Sequence, residues 1–359
     1  MTVIPFEPVA AFRSRQRDSM SIRIAALLLS LGAPVFGQEG QATYRVTFQS
    51  TWSAQTHPTS FPSSPSFSGF AGAAHTLGST LWAPGQLATF GLQQLAETGN
   101  PQAFLQQAQA TIGSQLVGSI GTSTSPATTV FQFTTHQPLL SIAAKLDPSP
   151  DWFVGLTDAL LPGPFGPGVV VLPAEVYDAG TDSGVSYSSP NSPTVPAAPV
   201  QVVSTAGGPF QNAPTQIGTF TIERLSGYEV FGCTNPLDSI AVGGTPSVEQ
   251  TLDFALDDPT GSMPLPALSG FGLSTTAQPT YPCGVQLPGF HLQQGLDGEV
   301  VLGSIDVLVA GPVYSGAPVL VPVPIPNQPV LVGFDFVVQG LLASTRVGLT
   351  RGVAVRVGS

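Results

Sequence analysis

Short runs of alternating apolar and polar residues, separated by glycine and proline, recur along the whole chain. TYRVTFQS (43–50) and TVFQFTT (129–135) are examples. Such alternation is typical of β-strands with one buried face. The 40 glycines and 36 prolines among 359 residues are typical of turns and are disfavoured inside helices. Since 42% of the residues are hydrophobic, the chain is predicted to fold as an all-β protein and not to be disordered.

One segment, residues 85–116, has helical spacing instead. Its apolar residues recur every three to four positions, and Gly-Asn-Pro at 99–101 interrupts them. Because proline opens a helix more readily than it continues one, the pattern predicts two short helices. The length of the chain favours two domains, which we place at 43–225 and 226–359, both as β-sandwiches.

The charge of the chain excludes one class of partner. Charged residues make up only 9% of the sequence, and the formal net charge is −11. Nucleic-acid binding requires clustered Lys and Arg to contact phosphates, and no such cluster is present. We therefore expect no nucleic-acid partner.

The N-terminus has the pattern of an export signal. Four arginines precede the apolar run IAALLLSLGAPVFG (24–37), which ends in small residues. This pattern predicts a signal peptide at 1–37, with Met20 as an alternative start. The run is too short to span a bilayer, so we expect a secreted, extracellular protein with no membrane span in the mature chain.

Cys233 and Cys283 are the only cysteines. In an oxidising compartment a single pair most often forms a structural disulfide. A thiol nucleophile or a metal ligand is the alternative.

Three aspartates lie in two Gly/Pro/Ser-rich segments, DPSPDWFVGL (147–156) and YDAGTDSG (177–184). Asp151, Asp178 and Asp182 would repel one another without a compensating cation. Glycines between them allow tight backbone turns, and calcium prefers oxygen ligands. The sequence therefore predicts a calcium site, with Asp147 as a turn residue before Pro148.

Four blocks of sequence resemble the spondin N-terminal domain of the F-spondin and mindin family. They are VTFQSTWSAQTHPTSFP (46–62), GAAHTLGSTLWAPGQLATFGLQQLAETG (72–99), PLLSIAAKLDPSPDWFVGL (138–156) and YDAGTDSGVSYSSPNSPTVP (177–196). The resemblance covers about 43–225 and implies an antiparallel, C2-like β-sandwich with short helices and one calcium ion. The metal-binding aspartates of the family fall on Asp151, Asp178 and Asp182.

The sequence departs from the family in two places. The stretch LTDALLPGPFGPGVVVLPAEV (156–176) is apolar and rich in Gly and Pro where family members have a charged, Trp-containing segment. No thrombospondin repeats follow.

The second half instead resembles C-terminal modules of secreted bacterial proteins, through GCTNP (232–236), YPCG (281–284) and the segment at 325–342. Its Asp253, Asp257 and Asp258 are interpreted as turn acids and not as a second metal site.

No enzyme motif accompanies the four histidines, His57, His75, His136 and His291. We interpret His57 and His75 as residues that satisfy backbone groups in a long loop, and the three tryptophans as core or loop anchors. We expect no enzyme but a secreted, calcium-binding protein of the adhesion type, with an unknown protein or glycan partner at the cell surface or matrix. A purely structural protein with a stabilising calcium, and a secreted hydrolase, are the alternatives.

Overall fold

A computed structural model describes residues 40–111, 114–118, 126–134 and 137–359. The predicted signal peptide lies outside these described residues, and so does His136. No helix in the described part of the chain is long and apolar enough to cross a membrane.

The prediction of an all-β fold with short helices is confirmed. The strands of the first half are β1 (Gln41–Ser50), β2 (Ser66–Phe67), β3 (Phe70–His75), β4 (Ser114–Gly118), β5 (Ala127–Thr134), β6 (Leu139–Asp147), β7 (Trp152–Leu160), β8 (Val169–Asp178), β9 (Gln201–Val202) and β10 (Gln216–Phe231). Those of the second half are β11 (Ile240–Gly243), β12 (Thr251–Leu256), β13 (Ala267–Ser274), β14 (Val285–Leu287), β15 (Gly298–Val300), β16 (Val307–Tyr314), β17 (Val319–Pro324), β18 (Asp335–Ala343) and β19 (Val347–Arg356).

Two helices lie between β3 and β4, as the sequence predicts. Helix α1 spans Phe90–Thr98 and α2 spans Gln102–Thr111. The hydroxyl of Thr89 accepts a hydrogen bond from the N–H of Leu92 and caps the start of α1. Gly99 ends the helix in the left-handed conformation, with φ of 75°.

One large antiparallel sheet runs through both halves of the chain. Its strand order is β16-β13-β18-β19-β10-β8-β7-β6-β3-β4, and β1 pairs with β10 and β5. Smaller sheets contain β11-β12-β17 and β14-β15. The sheet order places the β6–β7 and β8–β9 turns, which hold the predicted aspartates, beside each other.

Strand β10 connects the two halves. Gln216–Glu223 pair with β8, whereas Gly227–Phe231 pair with β19. The predicted boundary between residues 225 and 226 therefore falls inside one continuous strand.

The first half packs on both faces of its sheet. One face buries Phe48, Trp52, Trp152 and Phe220 in an aromatic core. The other face, which includes Phe153 and Ala143, packs against the apolar sides of α1 and α2. This second layer leaves the C-terminus of α1 close to the β6–β7 turn.

The disulfide prediction is confirmed: Cys233 and Cys283 are bonded, with their Cα atoms 5.1 Å apart. The carboxylate of Glu299 holds the same two loops. It accepts hydrogen bonds from the N–H groups of Cys233 (2.7 Å) and Thr234 (2.9 Å), and another from the N–H of Gly284. A single buried side chain therefore fixes the backbone next to both cysteines.

The loop at 161–168 lies within the apolar stretch that departs from the spondin pattern. Phe165 in this loop packs edge-to-face on Tyr281, with ring centroids 5.8 Å apart. Tyr281 also contacts Phe231 at 4.9 Å. Phe165 therefore anchors the loop on the second half, whereas Gly163, Gly166 and Pro167 of the same loop are exposed.

Two of the three acids predicted to be turn residues in the second half fulfil that role. Asp258 accepts hydrogen bonds from the N–H groups of Thr260 (3.0 Å) and Met263 (2.7 Å), and Asp257 accepts one from the hydroxyl of Tyr314 (2.9 Å). The prediction is wrong for Asp253, which lies inside β12 opposite Pro322. Its alternating neighbours Leu252 and Phe254 are buried, as a strand requires.

Candidate metal centre

The first acidic segment is the turn between β6 and β7. Asp151 is the last residue before β7 begins at Trp152. The hydroxyl oxygen of Ser149 accepts a hydrogen bond from the N–H of Trp152 (3.2 Å), which closes the turn. Asp151 is thereby directed inward and is fully buried.

The second segment follows the end of β8 at Asp178. One carboxylate oxygen of Asp178 accepts a hydrogen bond from the N–H of Gly180 (2.7 Å). Asp182 does the same with Gly184 (2.7 Å), and its other oxygen accepts one from the N–H of Ser192 (2.9 Å). Each aspartate therefore stabilises its own tight turn.

Glycine is required at position 180. Its φ of 73° lies in the left-handed region, and a Cβ atom there would lie 2.2 Å from the carbonyl oxygen of Ala198. The turn can form only because the backbone of residue 180 carries no side chain.

Asp151 joins the two segments. Its Oδ2 accepts hydrogen bonds from the N–H of Thr181 (2.7 Å), the hydroxyl of Thr181 (3.2 Å) and the N–H of Asp182 (3.0 Å). Its Oδ1 is buried and has no hydrogen-bond partner. A buried carboxylate oxygen without a partner is costly, and a bound cation is one way in which proteins satisfy it.

The electrostatics of the cluster are unfavourable for an empty site. Burial, followed by the charge of Asp178, raises the pKa of Asp151 to about 6, although the N–H groups of Asp182 and Thr181 oppose this shift. Burial also raises the pKa of Asp178. Both shifts mean that the folded chain holds these negative charges poorly by itself.

The donor set fits a hard cation. All three side chains are carboxylates, and neither cysteine nor histidine, which softer metals prefer, is among them. In the described ranges, one other group of possible ligands has its atoms within 4.8 Å of one another. It consists of Cys233, Cys283 and Glu299. The sulfurs of that set are joined in the disulfide, so they are not available as thiolate ligands. The three aspartates do not all have ligand atoms within 4.8 Å of one another in this structure.

A cleft of about 310 Å³ opens beside the cluster. Asp178 and Trp152 form part of its wall, and Val185, Val203 and Phe210 supply apolar surface. The cleft gives solvent access to the side of the cluster that Asp178 occupies.

Comparison with known proteins identifies the domain that contains these loops. Residues 42–214 match the family model for the spondin N-terminal domain (Spondin_N). This segment is a spondin N-terminal domain. The chain is 34% identical over 183 residues to spondin-1 of Gallus gallus, which covers 47% of this chain and 23% of that protein. It is 31% identical over 192 residues to spondin-2 of Homo sapiens, covering 48% of this chain and 58% of that protein.

The match confirms the resemblance inferred from the four sequence blocks, and the spondin domain contains all three predicted aspartates. The chain spans about a quarter of the length of spondin-1 and less than two thirds of spondin-2. The second half of the chain, with its disulfide, lies outside the matched segment.

The histidines of the spondin domain satisfy neighbouring polar groups. His57 is buried, with Nε2 2.9 Å from the carbonyl oxygen of Pro214 and Nδ1 2.8 Å from the hydroxyl of Thr56. In the second half, His291 places Nε2 3.1 Å from the carbonyl oxygen of Thr234. The contacts of His57 match its predicted role.

His75 lies in a Ser–His–Asp cluster that does not have the geometry of a hydrolase triad. Its Nε2 lies 2.9 Å from the hydroxyl of Ser141 and 3.4 Å from a carboxylate oxygen of Asp158. In a triad the serine and the aspartate contact opposite ring nitrogens, whereas here both contact the same one. Ser141 is also fully buried, so this cluster does not favour the hydrolase alternative.

Two residues of the site were missed in the sequence. Thr181 donates two hydrogen bonds to Asp151, and the buried ammonium of Lys145 contacts the β6–β7 turn. The signal for Lys145 was visible, since it is the only lysine of the chain and lies in an apolar strand pattern.

Proposed function

We propose that this chain is an extracellular calcium-binding protein of the adhesion type, whose spondin domain holds one calcium ion through Asp151, Asp178 and Asp182. The observation that carries the proposal is the buried Oδ1 of Asp151, which has no hydrogen-bond partner and lies in a cluster of carboxylates. A bound calcium ion would supply positive charge and oxygen coordination at that point.

Each residue has a distinct part in the proposal. Asp151 uses Oδ2 to tie the β6–β7 turn to the DAGTDSG segment and keeps Oδ1 for the ion. Asp178 holds its turn with one oxygen through Gly180, whereas Asp182 uses both oxygens, one for Gly184 and the other for Ser192. The turns are thus held by backbone N–H groups that donate to the carboxylates, and the proposed ion would add to these contacts.

The extracellular assignment rests on two observations. The chain has a disulfide, which is typical of exported proteins. Its first half is a spondin domain, and the spondins are extracellular matrix and adhesion proteins. We infer that the partner is a protein or glycan of the cell surface or matrix.

The test is thermal unfolding of the mature chain, in chelator and in a calcium titration. A ligand that binds only the folded state raises the midpoint as its concentration rises. We expect wild type to be stabilised by calcium at roughly 10⁻⁴ to 10⁻³ M, the range of extracellular modules. Asp178→Asn and Asp182→Asn should lose this response. A wild-type midpoint that calcium leaves unchanged would refute the site.

The matched control is Asp147→Asn. Asp147 belongs to the same β6–β7 turn, but it is exposed and bonds only weakly to the hydroxyl of Ser66 at 3.4 Å. Its variant should keep the full calcium response, which separates a specific site from general charge reduction.

A second experiment separates an adhesion role from a purely structural calcium. Immobilised matrix proteins and glycans are screened for binding to the chain, with calcium and with chelator, at a temperature where both forms remain folded. Binding that requires calcium supports the adhesion role. If binding is unaffected by chelator while the unfolding midpoint falls, the ion is structural.

A further inference from the structure

Lys145 is the only lysine of the chain, and it is buried beside the aspartate cluster. Its ammonium donates hydrogen bonds to the carbonyl oxygens of Ala96 (2.9 Å) and Ser149 (2.7 Å). Ala96 lies in the last turn of α1, where carbonyl groups have no helical partner and a cation is favourable. The side chain therefore links the C-terminus of α1 to the β6–β7 turn.

The link continues into the candidate metal centre. Ser149 lies two residues before Asp151, and Asp151 bonds to the N–H groups of Thr181 and Asp182. One continuous set of contacts thus runs from α1 through Lys145 to both acidic segments.

The charges around Lys145 are all negative. Burial lowers its pKa, and the carboxylates of Asp147, Asp151, Glu97 and Asp182 oppose that shift in this order. A cation is already present on the α1 side of the cluster.

We propose that Lys145 is a built-in counter-cation of the aspartate cluster. Its charge stabilises the calcium-free form of the site and thereby weakens the affinity of the site for calcium. This inference rests on the proposed calcium site. It assigns the regulation of calcium affinity at that site to Lys145.

The physical reason is that the ammonium and a calcium ion would both interact with the negative charges of Asp151 and Asp182. Each therefore lowers the benefit of the other, and the coupling between them is reciprocal. The two hydrogen bonds of Lys145 go to carbonyl oxygens and not to the aspartates, so we expect their loss to affect both forms alike. Loss of the charge, in contrast, destabilises the empty form more than the filled one.

The experiment compares wild type with Lys145→Met and Lys145→Arg. Methionine keeps the apolar part of the side chain and removes the charge, whereas arginine keeps the charge. Calcium affinity is measured by calorimetry at pH 8, where the aspartates are ionised, and unfolding midpoints are measured in chelator and in saturating calcium.

We expect Lys145→Met to bind calcium more tightly, on the order of tenfold. Removing one nearby positive charge from a partly buried site changes the binding constant of a cation by about this factor. Its midpoint should fall further in chelator than in calcium. Lys145→Arg should remain within about threefold of wild type. Equal falls in both conditions, or weaker binding by Lys145→Met, would overturn the inference and leave Lys145 as a hydrogen-bonding support.

A second readout needs no substitution. Because the chain contains one lysine, protein labelled with ¹⁵N- and ¹³C-lysine gives a single side-chain signal in the NMR spectrum. That signal should shift on addition of calcium, with the same midpoint as the calorimetric titration. A signal that stays fixed while calcium binds overturns the inference alone. If wild type binds no calcium by calorimetry, the proposed site itself fails, and the inference fails with it.

Discussion

The N–H of Asp182 donates a 3.0 Å hydrogen bond to the carboxylate of Asp151, across a gap of 31 residues in the chain. Asp182 lies in the tight turn after β8, and Asp151 closes the turn before β7. This bond aligns the two acidic segments. It uses only one oxygen of Asp151 and leaves the other buried and without a partner.

Two variants of Asp151 should separate its charge from its hydrogen bonding. Asparagine keeps an acceptor for the N–H groups of Thr181 and Asp182 and removes a buried charge that the carboxylate of Asp178 repels. In chelator we expect Asp151→Asn to be at least as stable as wild type. In calcium the order should reverse, since only wild type gains stability.

Asp151→Ala is the comparison. It leaves two buried N–H groups without an acceptor, so we expect a loss of about 2–4 kcal/mol in chelator. Urea unfolding in both conditions measures all three proteins. If asparagine and alanine have the same effect in chelator, the hydrogen bonds of Asp151 contribute little.

Gly180→Ala should destabilise the spondin domain, because a Cβ atom at this position meets the carbonyl oxygen of Ala198 and the φ of 73° is unfavourable for alanine. We expect a loss of about 2–3 kcal/mol, from a clash that the turn cannot avoid. Gly163→Ala is the control, since a Cβ atom there has no atom within 4 Å. The control should be neutral or slightly stabilising in the same unfolding experiment.

The sequence predicted that the two acidic segments meet, whereas the calcium site itself stays a prediction. Asp151, Asp178 and Asp182 were identified because aspartates, glycines and prolines in short segments have well-defined turn preferences. Lys145 was missed for a physical reason. Its position in an apolar strand indicates burial, but the pattern does not reveal that the C-terminus of α1 lies opposite.

The arrangement of strands was harder to predict. The change in composition near residue 225 suggested a domain boundary, yet β10 continues from Gln216 to Phe231. Alternation identifies a strand and its buried face, but the choice of β8 or β19 as partner depends on contacts far apart in the chain. Asp253 was misassigned for a similar reason, since an isolated acid on the less buried face of β12 resembles a turn residue.

Glu299 should make the second half sensitive to acid. Burial raises the pKa of Glu299, but hydrogen bonds from the N–H groups of Thr234, Gly284 and Cys233 outweigh burial, and the net pKa is lowered. A carboxylate whose pKa is lower in the folded state stabilises the protein at pH values above its unfolded-state pKa, which is near 4.5. This contribution is lost as the pH falls through the lower, folded value.

The measurement is the unfolding midpoint between pH 7 and pH 3, for wild type and Glu299→Gln. The variant should be less stable at pH 7 and should lose less on acidification. Glu223→Gln is the control, because Glu223 forms a surface ion pair with Arg45 and should contribute little. Parallel pH curves for wild type and Glu299→Gln would contradict the prediction.

The disulfide and Glu299 should be energetically coupled, because they hold the same two loops. Removing the bond between Cys233 and Cys283, which are 50 residues apart, frees the loops in the unfolded chain and costs about 4 kcal/mol on the chain-entropy account. In the folded chain, the carboxylate of Glu299 still bonds to the N–H groups of Cys233 and Gly284. It then becomes the main link between these loops.

A double-mutant cycle measures this coupling. It compares wild type, Cys233→Ala/Cys283→Ala, Glu299→Gln and the combined variant by urea unfolding at pH 7. We expect Glu299→Gln to cost more without the disulfide than with it, by about 1 kcal/mol, since the covalent bond otherwise keeps the loops together when the carboxylate is lost. Additive effects would mean that the two links act independently, and that the hydrogen bonds of Glu299 stabilise only the backbone next to each cysteine.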